Sequence, residues 1–175
     1  MKTKTDRILA ILKVISWVVH IGLCIATGVL ITSFILTVFV DPQMSKDYDI
    51  GDDLSNLYAY SKGHYIILMI MAISLSASKA GLFYKVIQLF SKLNLTHPFS
   101  ESIASIILKI SHKALEIGIV AIVANAYANW LVKRGAIFSL QLESNEFLFL
   151  AGIIYIVAQI FNKGIELQSE NELTI

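Results

Sequence analysis

Charged residues are scarce in this chain of 175 residues, making up only 15% of it. A soluble domain typically carries about 25% charged residues, because its surface must face water. The chain is instead 56% hydrophobic, with a mean hydropathy of +0.70. This composition argues against a soluble enzyme and indicates an integral membrane protein.

Cysteine, proline and glycine are also few. The single cysteine excludes a disulfide framework within a monomer and a cysteine-based zinc site, and we expect neither a metal nor a cofactor. Two prolines and nine glycines argue against a disordered or collagen-like chain. The net charge of +1 lacks the basic excess of a nucleic-acid binder, so direct nucleic-acid binding is not expected.

What the chain does contain is long uncharged stretches. The longest, Val14 to Val40, has 27 residues, more than the h-region of a signal peptide (about 7–15 residues), so we predict an uncleaved anchor helix. Three later stretches of 16 residues become long enough to cross a membrane when lysines at their ends reach the headgroups. The fold class is therefore predicted to be all-α integral membrane, with four transmembrane helices in one domain. The predicted domain comprises residues 1–175, with spans at about 14–40, 63–84, 111–133 and 147–165.

The basic residues predict the orientation. Ten of them fall on the side that holds both termini, against four on the opposite side. Since cytoplasmic loops carry the excess of lysine and arginine, both termini are predicted to be cytoplasmic. Residues 85–110 then form a cytoplasmic connection between the second and third spans.

Two connecting segments carry local signals. Pro98 favours a helix end before it and a new helix opening at Phe99, Ser100 and Glu101. Residues 138–143 alternate between apolar and polar types, the period of a half-buried strand. The fold class therefore includes, as an option, a small extracytoplasmic β element.

Four polar residues within or beside the predicted spans are candidates for function, because polar groups in lipid are costly. His20 is a candidate for the transfer of protons or metal ions. The alternative is a neutral imidazole that forms a hydrogen bond to another helix. Glu116 is expected to pair with Lys79, Lys113 or His112, the alternative being an ion-conducting carboxylate. Asn125 and Asn129 share one helix face, where they either bond across helices or line a polar cavity.

Motifs of catalysis are absent from the sequence. It contains no Walker loop, no His-Glu-x-x-His, no Gly-x-Ser-x-Gly and no dinucleotide fingerprint. Spans broken by glycine and proline, as in secondary transporters, are also missing. We therefore expect a protein that is not an enzyme.

Two segments have distinctive sequences: Thr96-His97-Pro98-Phe99-Ser100-Glu101, and the tail from Gly164 to Ile175. They resemble a bacterial membrane family, domain-of-unknown-function family 2975. Members often end in Asp-Leu-Thr-Val, so Glu172 and Ile175 depart mildly from the pattern. The resemblance implies a multi-pass protein of the bacterial inner (cytoplasmic) membrane, whose gene often neighbours a small helix-turn-helix regulator.

On that basis the leading functional hypothesis is a regulatory partner of a cytoplasmic helix-turn-helix, DNA-binding regulator. An immunity-type or accessory subunit that binds another membrane protein is the second hypothesis, and a small oligomeric channel or transporter is the third. The lipid bilayer is a partner in all three, and a homo-oligomer is compatible with each. The partner-binding candidates lie on the predicted cytoplasmic surface: Phe99, Glu101, Leu167, Gln168, Glu170, Asn171, Leu173, Thr174 and Ile175.

Overall fold

The structure is a computed structural model that shows five helices, four long and one short, in the part of the chain that it describes. It describes residues 4–41, 54–93, 99–138, 140, 142 and 144–172. The helices are α1 (Lys4–Phe39), α2 (Ser55–Tyr60), α3 (Lys62–Lys92), α4 (Glu101–Lys133) and α5 (Asn145–Glu172).

Three of these helices, α1, α3 and α5, are long and apolar enough to cross a membrane. Helix α1 alone has 36 residues, about 54 Å at ~1.5 Å per residue, which exceeds the hydrocarbon core of ~30 Å. Of the predicted spans, residues 63–84, 111–133 and 147–165 each lie within one long helix, and residues 14–40 lie within α1 except for Val40. The span at 111–133 belongs to α4, which is not among the three.

The helix break between α3 and α4 lies where the sequence predicts it. Residues 94–98, which include Pro98, lie outside the described residues. Helix α4 begins at Glu101 with Ser100 as its N-cap, whose hydroxyl accepts a hydrogen bond from the Ile103 amide at 3.4 Å. The prediction of a new helix opening at Phe99, Ser100 and Glu101 is confirmed.

Gly135 caps the C-terminal end of α4. Gly135 has a φ of 97°, a conformation that residues with a Cβ rarely adopt. This turn lets the Gly135 amide donate to the Val132 carbonyl at 3.0 Å and the Ala136 amide donate to the Leu131 carbonyl at 3.2 Å. Both bonds of a Schellman motif are therefore present, and the chain turns back towards α5.

The four long helices form a row rather than a closed bundle. Helix α1 packs on α3, α3 on α4, and α4 on α5, while the short α2 packs on α3. Among the described residues, α1 and α5 make no contact with each other. Cross-helix bonds such as His20 with Ala80 and Thr27 with Ser76 show that α1 and α3 run antiparallel. We call the end of the row that carries Lys79, Lys92, Lys109 and Lys163 the basic end.

Small residues bring α4 and α5 into close contact. Ala114 and Ala158 are fully buried between helices, and the Ser111 hydroxyl donates to the Ala151 carbonyl at 2.9 Å. Gly118 faces Leu148 so closely that a Cβ there would lie 2.6 Å from the leucine side chain. Without a hydrophobic driving force in lipid, such close contacts are a main source of helix association.

The option of a β element at residues 138–143 is wrong for the described part of this segment, where no residue is in a strand. The side chain of Asn125 explains why. Its amide nitrogen donates to the Leu142 carbonyl at 2.7 Å, and its amide oxygen accepts from the Leu142 amide at 3.0 Å. The Asn125 side chain therefore forms hydrogen bonds with both backbone groups of Leu142, which in a strand would bond to a neighbouring strand. Residues 139, 141 and 143 lie outside the described residues.

Candidate functional site

The two segments that carry the family resemblance meet at the basic end of the row. Phe99, just before α4, lies against Gly164 on α5, where a Cβ would be 2.6 Å from the phenylalanine ring. The Phe99 ring also packs against Phe161 at a centroid distance of 5.3 Å. Because Gly164 has no side chain, it provides the space that the Phe99 ring occupies. Segments about 65 positions apart therefore form one surface, which we call the Phe99–Gly164 junction.

The remaining partner-binding candidates extend from this junction along α5. Glu101 is exposed, Leu167 is 51% exposed, and Glu170 is exposed while Gln168 is partly covered. Asn171 lies in the last turn of α5, although its side chain is not described. The predicted residues Leu173, Thr174 and Ile175 lie outside the described residues.

Charged groups beside the junction are paired locally. Lys163 contacts Glu166 at 2.6 Å, and both side chains are mostly exposed. The Ser169 hydroxyl donates to the Glu166 carbonyl at 2.8 Å. An exposed ion pair of this kind contributes little to stability, typically ~0–1 kcal/mol. The surface therefore combines an exposed aliphatic side chain with acidic groups that remain accessible.

His20 bonds to a neighbouring helix. Its Nδ1 atom lies 2.9 Å from the Ala80 carbonyl on α3, so that nitrogen carries the proton and donates it. Its Nε2 atom faces the Cys24 sulfur at 3.8 Å, and the ring packs between Trp17 and Tyr84. The arrangement corresponds to the structural alternative, a hydrogen bond across helices. No group of three metal-ligating side chains occurs among the described residues.

Glu116 forms the ion pair that its position predicts. The Lys113 ammonium lies 2.9 Å from each Glu116 carboxylate oxygen, and the Ser78 hydroxyl on α3 donates to Oε1 at 3.1 Å. The carboxylate is therefore neutralised one turn away on its own helix and tied to α3. This is the environment of a structural ion pair.

Asn125 and Asn129 line a polar cavity of about 390 Å³ between the end of α4 and the start of α5. Asn125 uses its amide on Leu142, whereas Asn129 is exposed. Ser144, Asn145 and Glu146 are the other polar residues of the lining. The predicted common face is therefore present, but Asn125 bonds to a connecting segment instead of another helix.

The family model described as Protein of unknown function (DUF2975) matches residues 48–175. The match covers more than half of the chain and includes both segments of the Phe99–Gly164 junction. The chain belongs to the DUF2975 family. No curated protein and no solved structure matches it. The family resemblance predicted from the sequence is confirmed, and His20 alone among the predicted site residues lies outside the matched range.

A second cluster of the DUF2975 region was not predicted as a site. The His64 Nδ1 atom lies 2.7 Å from the Tyr127 hydroxyl, and the Trp130 ring packs against both side chains. The Arg134 guanidinium lies 4.2 Å from the Trp130 ring centroid. The spacing of Tyr127, Trp130 and Arg134 could have indicated one helix face, but nothing in the sequence places His64 beside it. Because aromatic residues favour the membrane interface, this cluster marks the end of the row opposite the basic end.

Proposed function

We propose that this DUF2975 protein crosses the bacterial inner membrane four times, with α4 as the third of the four spans and both termini in the cytoplasm. Helix α4 packs between α3 and α5, which are both apolar enough to cross. A helix held antiparallel between two spans lies at the same depth as they do. Its stretch from Ile117 to Val132 is uncharged, and its neighbours cover much of its surface.

Cysteine labelling tests this topology. In a Cys24→Ser background, single cysteines replace the exposed residues Thr5, Asn56, Ile137 and Ser169. In intact cells with a permeable outer membrane, a membrane-impermeant maleimide is expected to label positions 56 and 137 only. Positions 5 and 169 are expected to react after the inner membrane is opened. Labelling of position 169 but not position 5 in intact cells would contradict an even number of spans.

The proposed activity is the binding of a cytoplasmic helix-turn-helix regulator, and the observation that carries it is the Phe99–Gly164 junction. The two segments that distinguish the family from a generic membrane protein come together there. Helix α5 then continues to Glu172, beyond the uncharged stretch that ends at Asn162. This extension presents side chains to water at the end where lysines favour the cytoplasm.

The chemistry of the extension suits a DNA-binding partner. Glu166, Glu170 and Glu172 follow one another at short intervals on α5, beside the exposed Leu167. A surface that binds DNA is basic, so acidic side chains complement it. We therefore propose that this segment holds the regulator at the membrane by covering its basic surface, with Leu167 as an apolar anchor.

Deletion of Gln168–Ile175 tests this function. Affinity purification of the tagged full chain from native membranes is expected to recover a helix-turn-helix protein, identified by mass spectrometry. The truncated protein is expected to reach the membrane in equal amount but to lose that partner. The matched control is Lys133→Gln, an exposed residue at the opposite end of the row, which should recover the partner like the unmodified chain. Equal recovery with the truncated protein would contradict the proposal.

The row arrangement favours the accessory-subunit hypothesis as a second candidate. Among the described helices, α1 packs only on α3, and its outer side carries exposed Ile8, Val18 and Ile25. A second membrane protein could pack there through small and aliphatic residues. Such a partner would co-purify whether or not Gln168–Ile175 is present, which separates the two functions. A channel is less favoured, because four helices in a row do not surround a pore within one copy.

A further inference from the structure

A cavity at the basic end of the row lies between α3 and α4, apart from the Phe99–Gly164 junction. It measures about 380 Å³, within the ~300–1,000 Å³ range of ligand pockets. Its charged lining consists of Lys85, Lys109, Lys113 and Glu116, with Tyr84 and His112 as further polar groups. Three lysines converge on one space between two helices.

The charges in this cavity are not balanced. Glu116 is paired with Lys113 through both carboxylate oxygens, each at 2.9 Å. Among the described residues, Lys85 contacts neutral groups on its own helix, the Gln88 side-chain oxygen at 3.3 Å and the Tyr84 ring at 5.9 Å. Within the described part of the chain, neither Lys85 nor Lys109 forms an ion pair. The cavity therefore retains two positive charges for an external anion.

The depth of the cavity along the helices places it at the membrane surface. The uncharged stretch of α3 ends at Ser78 and that of α4 begins at Ile117. The hydrogen bond between Ser78 and Glu116 shows that these two boundaries lie side by side. The cavity lies directly beyond them, towards the basic end, and Trp17 and Tyr84 are half-exposed at the same level. Aromatic residues at this level are typical of the headgroup region.

We propose that this cavity binds the phosphate of an anionic phospholipid headgroup. Basic pockets between transmembrane helices suit such headgroups, since lysines attract the charge at short range. A lipid fits better than a free phosphate because an apolar path leads from the cavity into the membrane. His112, Leu115 and Ile119 share one face of α4, and the two aliphatic side chains are 42% and 51% exposed. The headgroup occupies the cavity and the acyl chain lies along that face.

This inference goes beyond the proposed function, because it requires neither the regulator nor a particular orientation of the chain. It assigns a ligand to Lys85 and Lys109 and gives the paired Lys113 and Glu116 a structural role in the cavity wall.

Lipid binding to the full-length protein in a neutral detergent tests it. The probes are phosphatidylglycerol, phosphatidylcholine and inorganic phosphate, with bound lipid counted by native mass spectrometry. The protein is expected to prefer phosphatidylglycerol, and Lys85→Gln with Lys109→Gln is expected to weaken that binding roughly 25-fold, about fivefold per lysine. Lys133→Gln, at the far end of α4, is the matched control and should bind like the unmodified chain. Circular dichroism in the same detergent checks the fold.

If the double variant does not fold, Lys109→Gln alone is the variant to measure, because Lys109 is exposed and its loss leaves the packing intact. That variant is expected to bind about fivefold more weakly. Equal affinity for phosphatidylglycerol and phosphatidylcholine would overturn the proposal, as would unchanged binding by the lysine variants. If inorganic phosphate displaces phosphatidylglycerol at equal concentration, the proposal that the bound phosphate belongs to a lipid is overturned. The cavity would then be a site for the free anion.

Discussion

Replacing Gly118 with valine is expected to destabilise the protein by about 1–3 kcal/mol, the usual cost of forcing extra atoms into a packed interface. A Cβ at this position would lie 2.6 Å from Leu148 Cδ2, 2.7 Å from Leu148 Cγ and 3.2 Å from the Leu148 backbone nitrogen. A side chain can rotate away, but the backbone atom cannot move without displacing α5. The variant therefore pushes α5 away from α4. Thermal unfolding of the purified protein in detergent measures the change.

The matched control for this prediction is Gly152→Val. Gly152 lies on α5, where an added Cβ would meet nothing within 4 Å. Both substitutions exchange the same residues within a long helix, so their intrinsic helix propensities cancel in the comparison. Leu148→Ala removes the two side-chain atoms nearest Gly118 and is expected to restore part of the stability of Gly118→Val. A melting temperature for Gly118→Val equal to that of Gly152→Val would show that the helices do not approach closely here.

Replacing Gly164 with valine is expected to displace the Phe99 ring and to cost about 1–2 kcal/mol of stability, because the new atoms need the space the ring occupies. The three nearest atoms to a Cβ at Gly164 all belong to that ring, at 2.6, 2.7 and 3.0 Å. The cost is smaller than at Gly118, since a ring that is 39% exposed can move outwards. Thermal unfolding and recovery of the helix-turn-helix partner are both measured.

A double substitution separates packing from recognition at the junction. Phe99→Ala removes the ring, so adding Gly164→Val to it is expected to cause little further loss of stability. Recovery of the regulator, in contrast, is expected to stay low in both single variants and in the double variant, because the displaced or missing aromatic surface is not restored. Additive losses of stability would mean that Phe99 and Gly164 do not share one contact. Full recovery of the partner by Phe99→Ala would remove the junction from the proposed binding surface.

The helices of this protein are largely predictable from local sequence. Uncharged stretches require backbone groups to be paired within a helix if they are to enter lipid, and the long helices contain those stretches. The start of α4 was also predictable, because Pro98, Ser100 and Glu101 act on neighbouring backbone groups. Each of these effects operates within a few residues.

The strand expected after α4 is a feature that local sequence predicted wrongly. The alternation of residues 138–143 has the right period, but a strand needs a backbone partner. The side chain of Asn125 supplies its hydrogen bonds to Leu142 from 17 positions earlier in the chain. No local pattern reports that the two residues meet.

The candidate site, too, was predictable from the sequence only in part. The individual residues of the Phe99–Gly164 junction could be named from the two family segments, and the pairing of Glu116 could be narrowed to three partners. Only the structure shows that Phe99 contacts Gly164 and that Glu116 pairs with Lys113. It also places His64 beside Tyr127 and Trp130.

The amino-acid sequence by itself determined that this is a helical protein with segments suited to lipid, and it identified the family. Hydropathy and capping depend on each residue and its near neighbours, so they can be evaluated from the amino-acid sequence alone. The tertiary structure decided that the helices stand in a row, that small residues bring α4 and α5 together, and that three lysines face one cavity. Those features depend on distances between residues far apart in the chain, which are set only when side chains of particular shapes pack against one another.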